Sequence, residues 1–279
     1  MNTNSKIYVL GLCFGEKNIS GMIKVADKFC KINFSKNKII RIVIDNSLKG
    51  NHQYKKMKYI LLSGDNRNME FSGWQRGINF IKKEYKPSNH DVIVLINDTV
   101  HRRNYTIGGD RYYDKYIIQK DSNEWPSYWA AGYLDDFPHA AKICEIDFTT
   151  WIRSNLLAFN WACTDLLYPL VFPSKEKELF CENINEGFWN KDAPVSRNWK
   201  SYISCWMFGA EDPQFPEYRL KWIKAEQLTM ENRNKFRKKA ICILSEHYLT
   251  ARLQKAGVKI FDFNTYPKDR DRHLKPYYN

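Results

Sequence analysis

Apolar positions recur along the first hundred residues in two alternating periods. Lys6–Leu12 (KIYVLGL) is a short apolar run and predicts a buried strand. Ile19–Ile32 carries apolar side chains at Ile19, Met22, Ile23, Ala26, Phe29 and Cys30, the spacing of one helix face. Lys38–Ile44 (KIIRIVI), rich in β-branched residues, predicts a second strand, and Lys58–Leu62 (KYILL) a third. Phe71–Tyr85 reads as a helix with Trp74, Ile78, Phe80 and Ile81 on its apolar side, closed off by Pro87-Ser88-Asn89. Asp91–Ile96 (DVIVLI) predicts a fourth strand, apolar on both faces. Near-continuous apolar strands alternating with amphipathic helices predict an α/β fold: a mostly parallel sheet covered on both faces by helices. Such sheets bind ligands outside the carboxyl ends of their strands. That rule singles out residues 13–15, 45–47, 63–67 and 97–101.

Past residue 101 the pattern loosens. His101–Asp121 is polar and aromatic around Gly108-Gly109 and reads as a loop or hairpin. Trp151–Leu167 has helical spacing, and Ser174–Trp199 has no clear period. Glu217–Lys239 is a charged helix candidate, followed by a short apolar run at Ala240–Leu244. Ser245–Ala256 reads as a helix capped by Gly257, and Val258–Phe263 as a last strand before a basic tail, Pro267–Asn279. Without an internal repeat or a low-complexity linker, the 279 residues read as one domain.

Composition narrows the classes. A chain that is 43% hydrophobic and 27% charged is not a mostly disordered one. No run approaches the roughly 18 apolar residues of a membrane helix. Lys+Arg is 44 against 31 Asp+Glu, a net charge of +13. That excess attracts nucleic acid, an acidic membrane face or phosphorylated small molecules, and a Lys-, Asn- and Ile-rich compositional bias accounts for it equally well. The seven cysteines are odd in number, lack C-x-x-C spacing and sit mostly in apolar company. They predict buried free thiols in a reducing cytoplasm rather than a disulfide framework or a zinc site. The N-terminus runs straight into the first strand with no signal-peptide pattern, also the expectation for a cytoplasmic chain.

Three strand ends carry chemistry. Asp45-Asn46-Ser47 offers a carboxylate that can accept from a nucleobase or ribose hydroxyl, and the same three residues also suit a plain turn. Ser63–Asn79 is a polar loop opening a helix, whose free N–H groups can meet an anion while Arg67 or Arg76 neutralises phosphate. A capped surface helix is the alternative there. Asn97-Asp98-Thr99 places a hard oxygen ligand, Asp98, where Mg or Mn could sit, and a solvated turn again explains it too.

In this order the segments resemble bacterial glycosyltransferases of the GT-A fold, the family-2-like enzymes that use nucleotide-diphosphate sugars. Ile42–Ser47 (IVIDNS), Asn68–Gly77 (NMEFSGWQRG) and Val94–Val100 (VLINDTV) carry the resemblance. Two departures stand out. Glu70 occupies the place of a family glycine, and Asn97 and Thr99 occupy the two carboxylate positions of the Asp-x-Asp metal motif, leaving Asp98 alone. Further on, Ser245–Gly257 (SEHYLTARLQKAG) is similar to the motif that holds the family's catalytic base, with Glu246 on the base position; Glu211 and Asp212 (FGAEDPQF) are the rivals. Trp151–Asn160 resembles the start of the family's acceptor-side helix, and an amphipathic core helix is the other reading. The aromatic stretch Trp125–Trp129 could stack on a sugar ring.

The resemblance implies a GT-A-like (Rossmann-like) fold, with residues 1–105 binding the nucleotide-sugar and 106–279 forming an acceptor-side lobe that supplies the base. It assigns nucleotide-sugar contacts to Asp45, Asn46, Asn66, Arg67, Arg76, Asn97 and Asp98. A divalent metal (Mg or Mn) would rest on Asp98 alone; Arg102 and Arg103 are the cations that a metal-free reaction would use. The implied activity is inverting sugar transfer to a glycan or lipid-linked saccharide in bacterial surface polysaccharide (O-antigen, lipopolysaccharide or capsule) synthesis. The implied setting is the cytoplasm, with peripheral contact to the anionic inner-membrane face. Two other classes compete: a catalytically silent relative that binds glycan or a partner, and a basic nucleic-acid-binding protein. Nucleic acid is not the expected partner, because the basic residues are scattered and only Lys235–Lys239 (KFRKK) is dense.

Overall fold

The computed structural model describes residues 5–102, 106–107, 110–111, 118, 125–219, 221–222 and 224–263. The chain runs through β1 (Lys6–Cys13), α1 (Ile19–Asn33), β2 (Lys38–Asp45), β3 (Gln53–Lys55), β4 (Ile60–Ser63), α2 (Met69–Tyr85), β5 (Val92–Asn97) and α3 (Thr99–Arg102). It continues through β6 (Thr106–Ile107), β7 (Asp110–Arg111), β8 (Trp129–Ile143), β9 (Ile146–Asn160), α4 (Thr164–Leu167), α5 (Glu176–Leu179), α6 (Arg197–Phe208), α7 (Arg233–Lys255) and β10 (Lys259–Asp262).

Eight strands join one mixed, mostly parallel sheet in the order β10-β8-β9-β5-β1-β2-β4-β3, and β6 and β7 form a separate small hairpin. β1 pairs in parallel with both β2 and β5, and β2 with β4. β9 runs antiparallel between β5 and β8, β10 joins β8 in parallel, and β3 is an antiparallel edge. The expected α/β sheet flanked by helices is therefore present.

Strand periodicity explains why these strands read as unbroken apolar runs. Ile7 and Val9 point into a core with Met22, Ala26 and Phe29 of α1, while Tyr8, Leu10 and Leu12 point into a core with Phe71, Trp74, Ile78 and Ile81 of α2. With a helix on each face, neither side of the strand can be polar. Gly73 and Gly77 let α2 settle onto the sheet: a Cβ at Gly73 would lie 2.3 Å from Leu12, and one at Gly77 2.8 Å from Leu10. A third core gathers Phe137, Phe148 and Trp151 of the long β8–β9 hairpin with Trp199 and Tyr202 of α6 and Phe236 of α7. This lobe belongs to the C-terminal half.

The C-terminal half corrects several expectations. Trp151–Leu167 is not a helix. It is strand β9 to Asn160, with only Thr164–Leu167 helical beyond it. Trp151, Ile152, Leu156, Leu157 and Phe159 are all buried, and a strand buried on both faces fits helical spacing as readily as its own. Its partner β8 joins it through Cys144-Glu145, both at positive φ (47° and 61°), the backbone of a tight two-residue hairpin turn. The charged candidate Glu217–Lys239 becomes helical only at Arg233, and Ala240–Leu244 is no separate element but the middle of α7. Trp125 and Trp129 lie 4.2 Å apart, ring to ring, against Phe34 and Phe261, so they pack as core rather than as a sugar platform. All seven cysteines are free, and each is buried or half-buried. Among the described residues no helix is long and apolar enough to cross a membrane. Most of His101–Asp121, Arg103 and the tail Pro267–Asn279 lie outside the described residues.

Candidate functional site

The strand order places a topological switch between β1 and β5. The chain steps from β1 to β2 on one side and returns through α2 to β5 on the other. In open sheets of this kind ligands bind at such a switch, outside the carboxyl ends of the strands. Three strand ends are laced together at this point. Asp98 N–H donates to Leu12 O (2.9 Å), Asn46 N–H to Cys13 O (2.9 Å) and Gly64 N–H to Asp45 O (2.8 Å).

Asp45, the last residue of β2, is 1% exposed. Its Oδ1 accepts from Gly15 N–H, Ser47 N–H and Ser47 Oγ–H, each at 2.8 Å. Its Oδ2 is buried and has no protein partner among the described residues. Leaving a buried carboxylate oxygen unmet is costly, and a ligand N–H or O–H is one remedy. Asp98, the residue after β5, accepts from Phe14 N–H (3.4 Å) and Asn18 Nδ2–H (3.5 Å). Asp45 and Asp98 thus hold consecutive residues, Gly15 and Phe14, of one loop. Between them the Phe14 ring stands 58% exposed, a large apolar surface presented at the rim. Gly15 sits at φ 84°, a conformation open to glycine and strained for other residues. Asn46 donates to Met69 O (2.9 Å) and Asn66 Oδ1 (3.5 Å), tying this rim to the start of α2.

A second group lies across β5. Asn97 donates through Nδ2 to Ser154 O (3.4 Å) on β9, and the N–H of the same Ser154 donates to Glu246 Oε1 (2.5 Å) on α7. One residue of β9 therefore separates the β5 terminus from Glu246. The β8–β9 ladder slips there: Gly132 pairs with Leu157 but Leu134 with Ile152, so β9 makes room for a long irregular stretch around Ser154. Such bulges re-aim side chains beside functional sites. Glu246 is half-buried. Desolvation raises its pKa and the Glu70 charge adds to the rise, while Lys239 and the Ser154 hydrogen bonds oppose it. Glu70, in the first turn of α2, accepts from the Cys242 thiol (3.1 Å) one turn before Glu246 on α7.

The structure thus gathers Asp45, Asn46, Asn66, Asn97 and Asp98 at one rim and brings Glu246 next to it. It does not bring Arg67 or Arg76 into contact with them. The Arg67 side chain is 83% exposed and pairs loosely with Asp65 (3.7 Å), and Arg76 donates to Asn51. The rival carboxylates sit elsewhere. Glu211 is exposed. Asp212 accepts from Ser201 Oγ (2.5 Å) and Gln214 N–H (3.0 Å), and the Ser201 hydrogen bond above all holds it below the usual carboxylate range. A carboxylate so well met by donors is a poor proton acceptor. The Arg102 side chain and Arg103 lie outside the described residues.

Two residues had been given no role from the sequence. Phe14 follows directly from the rule that pointed to the residues after β1, although ring exposure cannot be read from a sequence. Glu70 was visible only as a carboxylate standing in a glycine's place.

The donor set fits a divalent cation poorly. Asp98 is the lone carboxylate at the end of β5. Its neighbour Asn97 turns Oδ1 to the N–H (3.1 Å) and hydroxyl of Thr99, closing an Asx turn instead of facing a ligand. Among the described residues no three His, Cys, Asp or Glu side chains cluster as a metal site would need. The chain matches no protein-family model and no curated protein.

Proposed function

We propose that the protein is a nucleotide-sugar-dependent glycosyltransferase built on the GT-A plan. The observation that carries this reading is the juxtaposition at the switch point. A buried carboxylate with one unmet oxygen and an exposed aromatic ring lie on one side of β5, and a proton-hungry carboxylate lies on the other. Asp45 Oδ2 suits an N–H or O–H of a nucleoside, and the Phe14 face suits a planar base. Asn46, Asn66 and Asp98 supply further polar contacts for the nucleotide-sugar, and Asn97 ties the end of β5 to β9.

In the reaction, an acceptor hydroxyl gives its proton to the Glu246 carboxylate while its oxygen attacks the anomeric carbon. The bond from that carbon to the diphosphate oxygen breaks, and the nucleoside diphosphate leaves with the electron pair. One displacement inverts the anomeric centre. A base works best with a proton affinity near the working pH, and the half-buried setting of Glu246 moves it in that direction. The acceptor side falls to the lobe around α6 and the start of α7, and a glycan or lipid-linked saccharide of surface-polysaccharide synthesis is the acceptor class. The net charge of +13 suits a cytoplasmic enzyme visiting an anionic membrane face. A binding-only relative is the second reading, favoured by Asn97 turning its amide oxygen to Thr99 where the family carries a metal carboxylate.

The test is a thermal-shift screen against UDP, GDP, CMP and dTDP, with oligonucleotides as the contrast. A ligand at 100 times its Kd stabilises by about 2.7 kcal/mol, which raises Tm by several degrees. Stabilisation by one of these nucleotides, followed by sugar release from its diphosphosugar, is the expected result. Nucleotide binding without turnover selects the binding-only relative, and a shift with oligonucleotides alone overturns both.

A further inference from the structure

Glu70 is a chemical oddity at the site. It stands where the resemblance places a glycine, and its carboxylate is held by Cys242 Sγ at 3.1 Å. Burial pushes the Cys242 thiol well up, so the sulfur keeps its proton and remains a donor. The first turn of α2 also favours a negative charge through the unpaired N–H groups of the helix start. Cys242 and Glu246 are four residues apart on α7, and Lys239 is three residues before Cys242, so the three side chains share one face.

We propose that Glu70, held by the Cys242 thiol, is a positioning residue for transfer, setting a second carboxylate beside the Glu246 carboxylate that receives the acceptor proton. The role rests on the transferase reading above and deepens it. Lys239, also of α7, acts on Glu246 in the opposite sense, and Glu70 is the group facing it from α2. From β9 comes the Ser154 N–H. Other charged groups on neighbouring elements have contacts of their own. Asp135 of β8 is paired with Arg153 of β9 (2.6 Å), Asp165 of α4 with Lys82 (3.1 Å), and Asp262 of β10 accepts from Leu134 N–H (3.2 Å). His247, the next residue, faces an aromatic cage away from this group. Two carboxylates therefore divide the work: Glu70 is held by the Cys242 thiol, and Glu246 receives the proton.

The experiment is a carbon-13 NMR titration of the glutamate carboxyls in the full chain, with Glu246 assigned through Glu246→Gln. Glu70→Gln keeps the shape and removes the charge, so the Glu246 midpoint should move to lower pH. Cys242→Ser keeps a donor in place and should leave the midpoint near that of the wild type. If Glu70→Gln does not fold, Glu70→Asp draws the charge back by one methylene and should move the midpoint part of the way. An unchanged or raised midpoint in the folded Glu70 variant, with or without a lower Tm, overturns the proposal, because a purely structural Glu70 would alter stability alone. The titration is read without donor. A failed nucleotide screen would therefore sink the transferase reading while the Glu70–Glu246 coupling was still measured on its own.

Discussion

Asp45 and Glu246 are both carboxylates inside the molecule, and their surroundings prepare them for opposite tasks. Asp45 ends a strand, and three donors within two short loops converge on one of its oxygens. Glu246 projects from a helix and accepts from the Ser154 N–H, with the Glu70 carboxylate nearby. The first environment makes a carboxylate that receives hydrogen bonds. The second favours taking up a proton. Environment rather than residue type divides the roles, as it does wherever two carboxylates share a site.

The sharpest way to break this comparison is Glu246→Gln. The amide keeps an oxygen for the Ser154 N–H, so the fold and the Asp45 rim should be undisturbed. Loss of a general base costs about 10²–10⁴-fold in rate. The expected outcome is transfer lowered by that factor, measured by nucleoside-diphosphate release, with the nucleotide-induced Tm shift retained. If Asp212→Asn produced the loss and Glu246→Gln did not, the base would have been misassigned.

The neighbouring residue makes a second, pH-dependent contrast. His247 lies 2% exposed among Phe137, Phe148, Trp151 and Trp199, and its Nδ1 accepts from Trp199 Nε1–H at 2.9 Å. Burial pushes its pKa from 6.5 down to about 3. The folded state therefore binds fewer protons than the unfolded chain between those values. The stability this gives is fully present above pH 6.5 and drains away as pH falls toward 3. Near pH 4 the loss is on the order of 3 kcal/mol. His247→Gln, which can still accept from Trp199, should flatten the fall of Tm across that range. Glu246 runs the other way. Its folded pKa is raised, so its contribution is present at low pH and lost as pH rises through that folded value. Glu246→Gln should accordingly melt higher than the wild type at pH 8, with the gap closing on acidification.

The same division runs through what could be read from the residues alone. The N-terminal half announced itself because each strand is short, apolar on both faces and followed by a helix of clear period. Asp45, Asn46 and Asp98 were then located by the general rule about strand ends. The β8–β9 hairpin did not announce itself. Gly132, the Asp135-Asp136 pair and Pro138 interrupt β8, and the apolar residues of β9 satisfy two periods at once. Its turn uses Cys144 and Glu145 at positive φ, where a glycine or asparagine would have signalled a hairpin. Glu246 could be named only through its resemblance to a motif, because its partner Ser154 is 92 residues away. Long-range pairing of that kind leaves no local periodicity.

Asp45→Asn is a smaller perturbation than loss of the base. It replaces one carboxylate oxygen by an amide that must donate, and either orientation spoils an acceptor: the bare Oδ2 or the threefold-bonded Oδ1. Mispairing a buried polar group costs about 1–3 kcal/mol. The variant should unfold several degrees lower and lose most of its nucleotide-induced Tm shift. An unchanged shift would take Asp45 out of the nucleoside contact.

Arg67→Ala sets the lower end of the scale. Arg67 lies in the loop before α2, close in sequence to Asn66 and Asn68, and phosphate neutralisation was its expected task. Its side chain is 83% exposed, and its carboxylate partner, Asp65, stands 3.7 Å away with 42% exposure. An ion pair in that much water contributes at most about 0.2–1 kcal/mol and is screened by salt. Asp65 does its structural work without it, accepting from the Ser72 hydroxyl (2.7 Å) and the Arg67 backbone N–H (3.0 Å), and both bonds survive loss of the Arg67 side chain. The expected Tm change is therefore within about 2 °C, and the nucleotide-induced shift should match that of the wild type at 0.15 M salt. A large drop in nucleotide affinity, growing as salt is lowered, would show that Arg67 swings onto a bound diphosphate. The division would then move: the donor site would extend from the buried Asp45 rim across the exposed loop before α2.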